Sequence, residues 1–117
     1  MTILVTGGTG FIGSHVVDAL MTHGEQVRVL VQKTSDVTFL DELGADYIIG
    51  NLHNSESVDQ AVNGSDIILH LATAPDWKPT TEHWNTNYHG TLNILDAALK
   101  YGVQRLVQCS TIGVLGF

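Results

Sequence analysis

The sequence predicts an α/β fold: a doubly wound parallel sheet in the strand order 3-2-1-4-5, with helices on both faces. Three observations carry this. Short apolar, β-branched runs alternate with amphipathic runs along the 117 residues, as in successive βαβ units. The strand-like runs are apolar on both faces, as expected of a parallel sheet covered on each side. Gly7, Gly10 and Gly13 fall where the first strand-like run hands over to the first helix-like run.

The elements follow in order. The first strand is Thr2 to Thr6, and a helix runs from about Phe11 to Thr22, stopping near Gly24. The second strand is Val27 to Val31. A short helix over Phe39 to Leu43 is started by Asp36, and the third strand is Tyr47 to Ile49. Ser55 is the expected N-cap of a helix reaching Val62. The fourth strand is Ile67 to Leu71, followed by a loop marked by Pro75 and Pro79. The longest helix spans about Thr81 to Tyr101 and ends at Gly102; the fifth strand is Arg105 to Cys109. No repeat or composition shift divides the chain, so residues 1–117 are expected to form one domain.

Composition narrows the function. Hydrophobic residues make up 44% of the chain, enough for a globular core. Five Lys+Arg stand against 12 Asp+Glu, a net charge of −7, which argues against binding a nucleic-acid backbone. No apolar run reaches the length of a membrane span, and no basic leader precedes the first strand. The single cysteine, Cys109, cannot form an internal disulfide and fits a reducing cytoplasm; its apolar strand context predicts a buried, inert thiol. The six histidines fall on separate elements with no metal-ligand spacing, so they are read as structural or solvated. Asp41-Glu42 reads as a solvated helix face. Trp77 and Trp84 flank the loop after the fourth strand, as a substrate entrance or as half-exposed anchors.

The glycine-rich segment Thr6-Gly7-Gly8-Thr9-Gly10-Phe11-Ile12-Gly13 carries the chemistry. Gly7 suits a tight turn, Gly10 leaves room for a pyrophosphate to approach the main chain, and Gly13 lets the helix pack close to the sheet. Free amides at Phe11, Ile12 and Gly13 and the positive helix end would face the phosphates. An NAD site places an acid near the end of the second strand to accept the ribose hydroxyls. Here that strand ends in Val31-Gln32-Lys33. Lys33 is the nearest cation, Arg28 lies too far back, and Asp36 lies several residues into the loop, so NADP is favoured slightly over NAD. Asn51 and Leu52 after the third strand are candidates for the adenine edge. Leu71, Ala72 and Thr73 after the fourth strand would let the cofactor lie close to the backbone. The amide of Asn87 could order a loop or a water near the nicotinamide.

Together, Thr6–Gly13, His70-Leu71-Ala72, Asn87-Tyr88-His89-Gly90-Thr91-Leu92-Asn93, Gly102–Val107 and Cys109–Gly116 resemble the extended short-chain dehydrogenase/reductase family, the NAD(P)-dependent epimerases and dehydratases. The resemblance covers nearly the whole chain and implies a Rossmann-type fold. It implies hydride transfer on a hydroxyl or carbonyl substrate, without specifying which. Setting Val114-Leu115-Gly116 on the family's usual Val-Tyr-Gly places Thr111, with Ser110 before it, where a hydroxyl hydrogen-bonds the substrate's reacting oxygen. The family's Tyr-x-x-x-Lys pair is missing: Tyr47, Tyr88 and Tyr101 are followed four residues on by Asn51, Leu92 and Arg105. That pair would come after the fifth strand, so the sequence reads as the N-terminal portion of a longer enzyme, binding cofactor without turnover. A non-catalytic NAD(P)-binding or redox-sensing module is the alternative. An edge strand and an uncovered helix face lead us to expect self-association.

Overall fold

A computed structural model of the chain describes residues 1–116; Phe117, the last residue of the expected domain, lies outside them. Five strands, β1 (Thr2–Thr6), β2 (Gln26–Val31), β3 (Asp46–Ile49), β4 (Ile67–His70) and β5 (Arg105–Gln108), form one sheet in the order β3-β2-β1-β4-β5. Every neighbouring pair is parallel. The register aligns Thr6 with Leu30 on one side and His70 on the other, and His70 with Gln108. The carboxyl ends of the strands therefore form one rim.

Alternation along the central strands splits the core in two. Leu4, Leu30 and Ile68 point to one face, where Val58, Ala61 and Val62 of α3 (Ser55–Val62) and Ile94 and Ala97 of α5 (Gly90–Lys100) cover them. Ile3, Val5, Val27, Val29 and Val31 point to the other face, against Val17 of α1 (Phe11–Thr22) and Leu40 of α2 (Thr38–Leu43). Each face needs a helix, because a one-sided parallel sheet would leave half of these side chains in water.

Local chemistry sets the helix starts. The cap position of α2 is Val37 and not the expected Asp36, which stands one residue earlier and braces the start, its Oδ1 accepting from the Thr38 amide at 3.0 Å and the Thr38 hydroxyl at 2.7 Å. These bonds stabilise the charged form and hold its carboxyl below the usual range. The cap of α3 is Asn54 and not Ser55. Asn54 has the extended backbone of a cap residue, and its Oδ1 accepts from the Ser57 amide at 3.1 Å, while Ser55 is already the first helical residue.

The expected single long helix is three segments: α4 (Thr80–His83), a π-helical stretch (Trp84–His89) and α5. The wide turn leaves carbonyls out of the regular ladder, and the Thr91 hydroxyl donates to the Asn87 carbonyl at 2.7 Å. At the junction, a Cβ on Gly90 would stand 3.0 Å from the Leu52 Cβ, so the missing side chain sets how closely this helix seats.

Two expectations about burial fail at the sheet's edges. Cys109 is exposed. It follows β5, which among the described residues pairs only with β4 and of which only Leu106 is even partly buried, so these residues leave the apolar run uncovered. On β3, at the other edge, Tyr47 and Ile49 are exposed. No helix among the described residues is long and apolar enough to cross a membrane.

Candidate functional site

The turn between β1 and α1 is built from backbone. Gly7 has φ +74°, which a side chain rarely tolerates, and a Cβ there would meet the Ala72 amide nitrogen at 2.7 Å. The Gly10 amide closes the turn on the Gly7 carbonyl at 3.1 Å. A Cβ on Gly13 would collide with the Gly7 carbonyl and lie 2.9 Å from the Gly8 Cα. Gly13 thus packs against the turn itself. The glycine that admits the sheet is Gly8, where a Cβ would lie 2.6 Å from Cγ1 of Val29. Gly10 is the least crowded of these positions: its Cβ would meet only the Gly7 carbonyl, at 3.3 Å. No side chain caps α1, so the amides of Phe11, Ile12 and Gly13 emerge unspent at the positive end of the helix.

These amides face a cleft of about 650 Å³ that crosses the carboxyl rim of the sheet. Of the residues expected from the sequence, Gly7, Gly10, Phe11, Ile12 and Gly13 line one part. Gln32 and Leu52 line the part beyond β2 and β3, and Leu71, Ala72 and Thr73 the part beyond β4. A small backbone-lined floor with apolar walls suits a flat, extended ligand carrying a diphosphate.

Other expected residues sit outside the lining. Lys33 is exposed and does not line the cleft, where Thr34 and Ser35 do. Ser35 closes this loop, its hydroxyl accepting from the Gln32 amide at 3.2 Å. Arg28 is committed elsewhere: its Nη1 donates to the carbonyls of Ala61 and Asn63 at 3.0 and 2.9 Å, capping the end of α3. Asn51 is exposed, with its Oδ1 accepting from the His53 amide at 2.9 Å. Asn87 acts on the cleft from behind. Its Oδ1 accepts from the Ala74 amide at 2.9 Å and the Thr73 hydroxyl at 3.1 Å, which orders the loop after β4. Ser110 and Thr111 are both exposed and away from the lining, and the Thr111 hydroxyl accepts from the Gly113 amide at 3.3 Å.

Several cleft residues went unforeseen. The loop after β4 contributes Ala74, Pro75 and Lys78, and the segment beyond it contributes Glu82 and Thr86; Trp77, already a candidate for the substrate entrance, lines the cleft beside them, and Trp84 does not. Lys78 lies over the Trp77 ring, 4.7 Å from its centroid, and places a positive charge on the cleft wall. Thr6 also lines the cleft, and its Oγ1 accepts from the amides of Leu71 and Ala72 at 3.1 and 3.2 Å, tying the ends of β1 and β4 together. The one sequence signal for that tie is a hydroxyl and a histidine ending two apolar strands.

Comparison with known proteins agrees with this geometry. Residues 3–116 match the model of the NAD dependent epimerase/dehydratase family. The chain is 35% identical over 118 residues to sterol demethylase protein B of Methylococcus capsulatus, covering 99% of this chain and 36% of that one. Among solved structures, it resembles a short-chain dehydrogenase/reductase superfamily protein from Agrobacterium tumefaciens with bound NAD. The TM-score is 0.84 at 33% identity, covering 99% of this chain and 34% of that one. The UDP-glucose 4-epimerase of Thermus thermophilus, complexed with NAD, gives a TM-score of 0.82 at 32% identity, with 95% of this chain and 38% of that one covered. The chain thus spans little more than a third of the length of these relatives. With a Rossmann-type sheet, a glycine turn at its carboxyl rim and a family match from Ile3 to Gly116, the chain belongs to the NAD-dependent epimerase/dehydratase family, the extended short-chain dehydrogenases/reductases.

Proposed function

We propose that this chain is the dinucleotide-binding portion of an NAD(P)-dependent oxidoreductase or epimerase acting on a hydroxyl or carbonyl group. The observation that carries the reading is the uncapped start of α1 opening on the cleft at Gly10, the least crowded turn position, where a Cβ would meet only the Gly7 carbonyl. The residues fit a diphosphate: amide donors, no carboxylate in the turn, and a floor without side chains. Gly7, Gly10, Phe11, Ile12 and Gly13 would hold it, with Leu71, Ala72 and Thr73 along the dinucleotide and Leu52 and Asn51 beside the adenine. The bound dinucleotide would supply hydride acceptance and return. The protein binds it, orients it and keeps the β4 loop ordered through Asn87.

NADP is the preferred form in this reading. The cleft beyond β2 is lined by Gln32, Thr34 and Ser35 without an acid, Lys33 stands next to it, and the Asp36 carboxylate is engaged by Thr38. Ser110 and Thr111 would meet the reacting oxygen of the substrate. The bond from the Gly113 amide uses a lone pair of Thr111 and leaves its O–H to donate. The chain by itself binds cofactor without turning substrate over, since none of its tyrosines has the lysine partner. It also self-associates, through β5 and the exposed leucines of α5.

Calorimetry of the 117-residue chain with NADPH and NADH tests the reading. Saturable binding of both, tighter for NADPH and weakened more than tenfold in Gly10→Ala, is the expected result. A folded chain that binds neither overturns it.

A further inference from the structure

His70 ends β4 with no exposed surface, and both of its ring nitrogens have partners. Nδ1 lies 2.6 Å from the Thr6 hydroxyl and Nε2 lies 3.0 Å from the Thr91 hydroxyl. The neighbours fix the direction of each bond. Thr6 Oγ1 already accepts the Ala72 amide and the Leu71 amide, the latter shared with the Thr6 backbone carbonyl, and these occupy its lone pairs. Its proton must therefore go to Nδ1, so Nδ1 is bare and the ring proton sits on Nε2. Thr91 accepts that proton and spends its own on the Asn87 carbonyl. Asn87 in turn holds Ala74 and Thr73 with its side chain. The opposite tautomer, or the imidazolium, would set three donors against the Thr6 oxygen and strand the Thr6 proton.

We propose that His70, held as the Nε2–H tautomer, is a positioning residue that couples the glycine turn after β1 to the Asn87 clamp on the 72–75 loop, so that facing walls of the cleft are set together. The chain Thr6–His70–Thr91–Asn87 runs from one wall to the other through directional bonds, buried at Thr6, part-buried at Thr91 and exposed at Asn87, and each bond polarises the next. The π-helical stretch fits this role, because its wide turn presents the Asn87 carbonyl to Thr91 and its side chain to the loop. That the coupled walls serve dinucleotide binding rests on the reading above; the coupling itself does not.

Two NMR measurements on the uniformly 15N-labelled chain test the coupling without any ligand. Long-range 1H–15N spectra are expected to show His70 with a protonated Nε2 and a bare Nδ1; a protonated Nδ1 overturns the proposal. Thr91→Val keeps the shape and removes the hydroxyl, whereas Thr91→Ser restores it. The valine variant is expected to shift the amides of Ala74 and of Leu71 and Ala72, which bond to Thr6, and the serine variant to return them. Shifts confined to the immediate neighbours of residue 91, or equal in both variants, overturn it. The valine variant is also expected to weaken NADPH binding roughly tenfold, with recovery in the serine variant. Unchanged NADPH affinity in the valine variant overturns the link between the walls and the ligand. Failure of the unmodified chain to bind NADPH instead defeats the proposed function and leaves the amide shifts to decide the coupling.

Discussion

Gly10 and Gly13 belong to the same turn of chain and should fail in different ways when given a methyl group. The Gly10 backbone, at φ −80° and ψ 178°, suits alanine, and the new Cβ would touch only one carbonyl. Gly10→Ala should therefore leave the urea midpoint nearly unchanged and weaken dinucleotide binding more than tenfold, about 1.4 kcal/mol or more. Gly13→Ala would press a methyl group into the Gly7 backbone and should destabilise the fold by about 1–3 kcal/mol in the same unfolding experiment. If both variants lost stability equally, Gly10 would be a packing glycine like Gly13 and not the place where a ligand approaches. His70 gives a second prediction at this scale. Burial pushes its pKa from 6.5 down to about 4. The unfolded chain therefore takes up a proton below about pH 6.5 that the native chain refuses until about pH 4. The stability held above the unfolded pKa is lost as pH falls through that window, by up to about 1.4 kcal/mol per pH unit, and the loss levels off once the native ring protonates. Urea midpoints measured from pH 7.5 to 4.5 should fall more steeply for the unmodified chain than for His70→Gln, which cannot titrate. Parallel curves would mean the ring is not held neutral.

At the scale of elements, the sequence announced what periodicity and glycine placement can announce. Helix ends at Gly24 and Gly102 were legible because a left-handed residue stops a helix, and both have positive φ. The cap of α3 lies one residue before the expected one, because Asn54 and Ser55 are both cap formers and only the backbone angles decide between them. The π-helical stretch was not legible: apolar spacing tells which side faces the core and says nothing of one wider turn. For the same reason Lys78, Glu82 and Thr86 of the cleft were missed, while the glycine turn, whose chemistry is local, was found residue by residue. Arg28 looked like a remote cation on a strand and proved to be a helix cap, satisfying two carbonyls at the end of α3. Arg28→Met keeps the apolar stem and orphans those carbonyls. It should cost about 1–2 kcal/mol and speed amide exchange in the last turn of α3 and at Ser65, with little effect on cofactor affinity. A loss of NADPH preference in this variant would show that Arg28 reaches the ribose after all.

For the molecule as a whole, strand order followed from the alternation of elements and the rule that ligands sit at the carboxyl rim, and both are properties of the entire chain. Burial of the last strand is different in kind, since it depends on what lies against it. Cys109 and Val107 were apolar by sequence and are exposed by structure. The same edge is where the proposed self-association of the 117-residue chain would act. Among the described residues β5 pairs with β4 alone and presents a row of unpaired backbone groups. On α5, Leu92, Leu95 and Leu99 are all exposed, the last at 84%, and their spacing places them along one stripe of the helix. A strand edge and an apolar stripe together favour contact with a like surface, because each copy brings what the other lacks cover for. Light scattering at tens of micromolar, roughly the range in which uncovered folding surfaces associate, should report a dimer or larger species. Leu95→Lys combined with Leu99→Lys should shift it toward monomer without lowering the urea midpoint, since neither side chain belongs to the core. A clean monomer for the unmodified chain would count against self-association, and an unshifted oligomer in the double variant would move the contact from α5 to the edge of β5.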